Sequence, residues 1–407
     1  MAQLGSRMRY AVPKIFYQTG QLQRLYTDLL FDPSRKSHRL AARWLPKRIA
    51  NKFIRNNPNL PSNLVKSSNF EGLATKSFLA LAHSPLTQLE VFNRSAHWLA
   101  KRIIADEDFQ NGGFIYGFDT ASLELFSQAK CRSVRLVLEQ CVAPRKSQAE
   151  ILGALFTSAN IPITKNQTLA WERQAEIEQN EWNLADIILC PSRYVVQELI
   201  KHGVPPLKLR LVPYGVEALL PEAAKMTLQR RLEGRNTNKF RVLFAGQIGL
   251  RKGVLELIAA AQALDRNNFE FVAAGKLDLP PAAQNPFHEV IKYLGNLSPQ
   301  ELHNEYEKAD CLVHPSHLEG SATVVYEALS WGLPVVTTHS SGTVVENGVS
   351  GFVGGAGDVN FLVSSLNRLR TDEELRRRMA SNAWDQSQLY NLDGYKQRLL
   401  SAVATIP

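Results

Sequence analysis

Short apolar runs recur along the chain, each followed by a turn of Gly, Pro or Ser and then by apolar residues at helical spacing. Val134 to Leu138, Ile187 to Cys190, Leu209 to Val212, Arg241 to Ala245, NFEFVAAG, Val290 to Leu294, Cys311 to Val313 and Val335 to Thr338 are close to continuously apolar. That pattern predicts strands covered on both faces, as in a parallel sheet. Helical spacing predicts helices at Arg193 to His202, at Gly253 to Leu264, and from near Ser321 to Thr323, where Val324, Val325, Ala328 and Leu329 are the apolar positions. The segments TDEELRRRMASNAWDQ and LDGYKQRLLSAV read as terminal helices. Strand and helix alternate in both halves, so the expected class is α/β with two doubly wound parallel sheets.

The joints between these elements are less regular. Only Met1 to Leu4 precede Gly5-Ser6-Arg7, a helix is expected from about Tyr10 to Gln21, and LQRLYTDLLF reads as the second strand. Gly5 and Arg7 then lie in the first strand-to-helix turn, which faces the ligand crevice in such a sheet. Arg7 has two readings, a phosphate contact from the first domain or a surface charge near a frayed terminus. In GGFIYGF, Ile115 and Tyr116 form a strand, and the polar stretch from Thr164 to Thr168 is expected to be mobile. Pro213, Gly215 and the polar segment to Asn238 read as a linker, and NGVSGF as a short hairpin. The domains expected are residues 1–215 and 216–387.

A chain of 407 residues can bury a core in each of two domains. The net charge of +9 points to an anionic partner. Part of that charge is concentrated in residues 35–55, RKSHRLAARWLPKRIANKFIR, which carry eight Lys or Arg, no acid, and Leu40, Trp44, Leu45, Ile49, Phe53 and Ile54 at helical spacing. The stretch suits adsorption to anionic lipid, with an ordinary helix bearing a basic outer face as the other reading. Cys131, Cys141, Cys190 and Cys311 show no C-x-x-C spacing and sit in apolar contexts, so reduced core cysteines of a cytoplasmic protein are expected. No leader pattern and no long apolar run is visible, so neither export nor a membrane span is expected.

The chemistry concentrates in the second half. Glu319 lies in the loop after Cys311 to Val313, and Glu327 stands one turn after Thr323, on the side of the helix that carries its free amides. Gly320, Ser321, Ala322, Thr323 and Val324 form the turn and the helix start, where backbone N–H groups and the helix dipole favour a phosphate. Upstream, Gly246, Gln247 and Gly249 form a turn after a strand, and Arg251 and Lys252 stand just before a helix. Two cations there oppose the dipole unless an anion joins them. The nine histidines include no H-x-x-x-H or H-x-x-E-H spacing, so no metal is expected.

The run EGSATVVYEALSWGLPVV resembles the E-x7-E motif of retaining glycosyltransferases with the two-domain GT-B fold, glycosyltransferase family 4. ADIILCPS and VPYGV are also similar to pieces that close the first domain in that family. The resemblance covers most of the chain and is specific from about Ala185 to Gly351. It implies a nucleotide-sugar donor in the cleft, with no cofactor, and its diphosphate against Arg251, Lys252 and the amides of Ala322 to Val324. It further implies that Gly295, Asn296 and Leu297 seat the base, Glu327 the ribose and Glu319 the donor sugar, with retention of anomeric configuration. The family usually has an Arg right after the first Gly of the phosphate turn, where this chain has Gln247, and a His near Glu139-Gln140, where it has none. Glu139 is the substitute candidate on the acceptor side, with a structural role as the other reading. The last helix, 388–407, is expected to cross back onto the first domain.

The expected function is transfer of a sugar to a glycan or lipid-linked acceptor, in cell-surface polysaccharide or glycolipid synthesis, in the cytoplasm or attached to the inner membrane face, without nucleic acid. A nucleotide-sugar epimerase or phosphorylase of the same architecture, and a non-catalytic nucleotide-binding membrane adaptor, are the competing readings.

Overall fold

The computed structural model describes residues 1–30, 57, 59–107, 109, 113–130, 134–217, 221–234 and 239–405. Cys131 and the basic stretch at residues 35–55 lie outside them.

The first half carries two parallel sheets that share a core. β1 (Ala2–Gln3), β2 (Leu25–Thr27) and β3 (Val65–Ser67) form one. β4 (Phe114–Phe118), β5 (Arg135–Glu139), β6 (Ile187–Cys190) and β7 (Leu209–Leu211) form the other. Ala2 and Tyr26 pack with Ile115, Leu136 and Trp182, which joins the two. The second half holds a six-stranded parallel sheet of β8 (Phe240–Ala245), β10 (Phe269–Ala274), β12 (Lys292–Gly295), β13 (Cys311–His314), β14 (Val335–Thr338) and β15 (Gly351–Gly354), in the order 12-10-8-13-14-15. β9 (Ile248–Gly249) and β11 (Leu277–Asp278) pair beside it.

That strand order reverses between β8 and β13. Loops leaving these neighbouring strands diverge to opposite faces, so a crevice opens above their carboxyl ends. The turn at Gly246 and the loop from His314 to Ala322 both flank that crevice.

Four expectations are corrected. Residues 347–350 do not begin a hairpin: β15 pairs in parallel with β14, and Gly351 lies so close to the Val335 carbonyl that a Cβ would stand 2.0 Å from its oxygen. The stretch at Thr164 opens the helix Lys165–Leu184, because the Thr164 hydroxyl caps it by accepting the Gln167 N–H at 3.2 Å. The expected linker contains the helix Pro221–Glu233, whose Arg231 donates to the carbonyls of Ala309 at 2.5 Å and Tyr306 at 2.6 Å. Finally, the first long helix is shorter than expected, Ala11–Gln18. Before it Met8, Arg9 and Tyr10 take φ of 45°, 51° and 60°, three consecutive left-handed residues with side chains. Each such residue costs about 1–2 kcal/mol. The turn is held by Tyr10, fully buried, and by the Gly5 N–H, which donates to Asp28 at 2.8 Å.

The chain crosses between the halves twice, side by side. Val216 N–H donates to the Tyr390 carbonyl at 3.0 Å, and Arg398 donates to the carbonyls of Pro213 at 3.1 Å and Tyr214 at 3.2 Å. The helix Leu392–Ala404 buries Tyr395, Leu399, Ala402 and Val403 against Val137, Ile187 and Leu189 of the first half. No helix among the described residues is long and apolar enough to cross a membrane.

The turn that ends in Gly253 is one of the close backbone approaches around the crevice. Gly253 has φ +75°, and a Cβ there would stand 2.1 Å from the Pro315 carbonyl oxygen. Gly253→Ala is expected to destabilise the protein by at least about 1–2 kcal/mol from backbone strain alone. Urea unfolding measures this, and an unchanged midpoint would show that the turn is not held against Pro315.

Candidate functional site

Because Gly253 packs on Pro315, the turn Leu250–Lys252 lies flat on the loop after β13, and the His317 N–H donates to the Arg251 carbonyl at 2.9 Å. That contact delivers the two cations to the first acid of the motif. Glu319 Oε1 receives Arg251 Nη1 at 2.7 Å, Lys252 Nζ, and the Ser316 hydroxyl at 3.3 Å. All three groups share one oxygen, and Oε2 has no partner among the described residues. Burial holds the Lys252 ammonium below the ordinary lysine value, Glu319 opposes that shift, and Arg251 adds to it.

The loop itself is braced from β14. The Thr338 and Ser340 hydroxyls donate to the Ser316 carbonyl at 2.5 and 2.8 Å, and the Glu319 N–H donates to Ser340 O at 2.9 Å. The Ala322 N–H donates to Ser341 O at 3.1 Å. This narrows the expected cradle, since the Ala322 amide is occupied and the amides of Thr323 and Val324 remain. The helix Thr323–Ser330 starts with no side-chain cap, so its dipole faces the crevice uncompensated by a side chain. Ser321 turns inward: its hydroxyl bonds the Tyr326 hydroxyl at 2.6 Å and the Gly342 carbonyl at 3.1 Å.

Glu327 and Thr323 line a cavity of about 400 Å³ between the halves. Leu297, Pro299, Leu302, His303 and Trp331 wall it on one side, Met8, Arg9 and Lys14 on the other, with Gly215 and Val216 at its base. The Tyr306 hydroxyl donates to Glu327 at 2.8 Å, and burial raises the Glu327 carboxyl while Tyr306 and Arg9 oppose the shift. Gly295 takes φ +74°, and its carbonyl accepts the Gly275 N–H at 2.8 Å. Asn296 follows it in the chain, before Leu297 at the cavity wall. Gly246 has φ +123° and touches Gly275, where a Cβ would stand 1.7 Å from the Gly246 oxygen. Gln247 donates to Asp278 at 2.7 Å on the surface, and Gly249 pairs with Asp278.

Opposite Glu319 the first half comes into contact. Gly320 lies against the Cys141 carbonyl, with no room for a Cβ, and the Ser192 hydroxyl donates to Gly320 O at 2.6 Å. Glu139 is only 4 % exposed and is held by two buried hydroxyls, Tyr116 on one oxygen and Tyr214 on the other at 3.1 Å. It is therefore a core carboxyl behind this wall, and burial raises it. Arg7 reaches Asp119 at 3.5 Å and stacks over Phe118.

Sequence reasoning missed Asp119, Arg145, His314 and Ser316. His314 is fully buried, stacks on Phe244 and has no partner on either ring nitrogen among the described residues. Burial and the nearby Lys252 and Arg251 hold it well below the ordinary histidine value, so it is neutral. Histidine ending a buried strand was visible in the sequence, but its place under the cations was not. Among the described residues no group of three or more His, Cys, Asp or Glu could hold a metal ion.

The chain is 29 % identical over 224 residues to the sulfoquinovosyl transferase SQD2 of Arabidopsis thaliana, covering 51 % of this chain and 42 % of that one. It is 28 % identical over 255 residues to a D-inositol 3-phosphate glycosyltransferase of Corynebacterium jeikeium (strain K411), covering 56 % and 61 %. The chain thus spans about half the length of the curated relatives it matches. Its fold is similar to that of the sucrose-phosphate synthase of Thermosynechococcus elongatus, with TM-score 0.65, 16 % identity, and 99 % and 94 % of the two chains covered. It is also similar to Anabaena Alr3699/HepE in complex with UDP, with TM-score 0.62, 16 % identity and 99 % of each chain covered. The fold is that of the GT-B glycosyltransferases, two Rossmann-like α/β units facing across a cleft, and residues 225–386 match the family model for glycosyl transferases group 1.

Proposed function

We propose that this protein is a retaining, metal-independent glycosyltransferase that moves a sugar from a nucleotide-sugar donor to a glycan or lipid-linked acceptor. The observation that carries this reading is the shared carboxylate: Glu319 gathers Arg251 and Lys252 at the start of a helix whose first amides are open. The similarity to a UDP-bound protein of the same fold supports a nucleoside diphosphate in the cleft.

In this reading the base enters along Gly295, Asn296 and Leu297, the ribose meets Glu327, and the diphosphate lies against Arg251, Lys252 and the amides of Thr323 and Val324. Negative charge grows on the leaving phosphate as the glycosidic bond breaks. A cation at about 4 Å contributes on the order of 4 kcal/mol at an effective dielectric of 20, before desolvation is subtracted. Each 1.4 kcal/mol, roughly, is tenfold in rate. Glu319 spends one oxygen on the cations and keeps the other for the donor sugar's hydroxyls. Contact with an anionic membrane face through residues 35–55, and a place in polysaccharide or glycolipid synthesis, belong to the same proposal.

Arg251→Ala and Lys252→Ala are each expected to lower turnover at least about tenfold with the far-UV circular dichroism unchanged. Wild-type rates in both variants would remove the diphosphate assignment. A panel of UDP-, GDP- and ADP-sugars, read by protection against thermal unfolding, identifies the donor; NMR of the product's anomeric proton tests retention. Glu327→Gln is expected to weaken nucleotide binding by about 1.5–3 kcal/mol, the range for hydrogen bonds to a charged group. Equal affinity of both proteins by calorimetry would place the ribose elsewhere.

Binding is also expected to depend on pH. With its pKa depressed below 10.5, Lys252 loses its charge at a lower pH than an exposed lysine. A bound diphosphate requires the charged form, so binding takes up a proton and affinity falls as pH rises through the depressed value. Calorimetry in buffers of different ionisation heat detects the uptake, and Lys252→Arg should abolish it.

A further inference from the structure

We infer that the wall of the first half facing Glu319 is a binding site for an oxyanion carried by the acceptor, a phosphate, diphosphate or carboxylate. Its anchor is the guanidinium pair of Arg7 and Arg145. The inference rests on the glycosyltransferase reading above and adds the acceptor's chemical class to it.

The pair is built on one carboxylate. Asp119 is fully buried at the end of β4, and its two oxygens are divided: Oδ1 meets Arg7 at 3.5 Å and the Cys141 N–H at 3.2 Å, and Oδ2 meets Arg145 at 3.1 Å. The arginines hold Asp119 below the ordinary carboxylate range, so it stays charged. Two cations on one anion leave a positive charge over. Glu139 also acts on Arg7, but burial raises its carboxyl and both its oxygens are held by tyrosines inside the core. Glu178 accepts the Arg145 backbone N–H at 2.6 Å and Gln140 at 2.7 Å, and its burial pushes it up to about 7.

Both guanidiniums remain accessible, Arg7 about one third and Arg145 about one fifth exposed. Arg145 Nε is buried with no partner among the described residues. The Arg145 head is also bonded to Gln148 at 3.5 Å and the Arg7 head lies on the Phe118 ring, so both are held in place. The left-handed turn at Met8, Arg9 and Tyr10 follows directly after Arg7, and strained backbone of that kind persists where the surrounding fold over-determines it. Position completes the argument. Cys141, which donates to Asp119, is the residue that Gly320 packs against, so the pair stands beside Glu319 across the cleft. Forked guanidiniums suit a planar or tetrahedral oxyanion better than neutral hydroxyls do.

The test uses the full chain saturated with UDP, so that the donor cleft is occupied. Inorganic pyrophosphate is titrated in solution in one arm; in the other, vesicles of phosphatidylcholine with and without phosphatidic acid are added. Wild type is compared with Arg7→Gln/Arg145→Gln and with Arg145→Lys. We expect the double variant to bind the anion at least tenfold more weakly in one arm or both, with UDP affinity within twofold of wild type and Arg145→Lys intermediate. Loss confined to pyrophosphate marks a soluble phosphorylated acceptor, and loss confined to phosphatidic acid a lipid headgroup. Unchanged anion binding in both arms overturns the inference. So does an equal loss of UDP affinity, which would move the pair to the donor diphosphate; absence of binding of UDP, GDP and ADP alike to wild type would instead sink the donor reading itself.

Discussion

A buried ammonium needs a carboxylate at a fixed distance, and in this protein that pairing of Lys252 with Glu319 orders the whole crevice. The two residues come from different loops, so they meet only because the Leu250–Lys252 turn lies flat on the loop after β13. Gly253 permits that approach, and the Thr338 and Ser340 hydroxyls fix the loop by donating to the Ser316 carbonyl. Removing Glu319 would leave the Lys252 ammonium poorly solvated, a large penalty in a half-dry site, whereas without Lys252 the carboxylate keeps Arg251. The paired charges and the uncapped start of the helix Thr323–Ser330 are therefore fixed by the fold itself.

The second constraint is the closeness of the halves. Gly320 touches Cys141, Ser192 bonds the Gly320 carbonyl, and one cavity is lined by Arg9 and Lys14 on one side and by Glu327 and Leu297 on the other. The chain passes between the halves at Tyr214–Val216 and again at Tyr390–Asn391, and these passages lie against each other. The helix Leu392–Ala404 returns to the first half and so ties the second crossing to its core.

Much of the second half was legible in the sequence. β6 and β14 fall on the expected residues, and the helix after Glu319 begins at Thr323. Continuous apolar runs between Gly turns have few alternatives once each must be covered on both faces. The Glu319 and Glu327 spacing, and the Arg251-Lys252 pair at a helix start, were legible as local patterns, since each lies within a few residues of a strand end or a helix start. The first half was harder. Thr164 looked like part of a mobile stretch because its capping role depends on a helix that is polar for most of its length. The turn at Met8 to Tyr10 was illegible, as no residue type there favours a left-handed backbone and what holds it is burial of Tyr10 and the Gly5 bond to Asp28.

What the sequence by itself determined is the α/β alternation and the local pieces of the site: acids one loop and one helical turn apart, glycines where chains must touch, and cations before a helix. Periodicity and turn chemistry act over a few residues, so they can be read along the chain. Only the tertiary structure decided which charges meet. It joined Arg251 and Lys252 to Glu319 across more than sixty positions, withdrew Glu139 into a cage of tyrosines, and brought Asp119 between Arg7 and Arg145. Those pairings depend on strand order and on the contact of two halves, and a charge's partner in space leaves no trace in its neighbours in sequence.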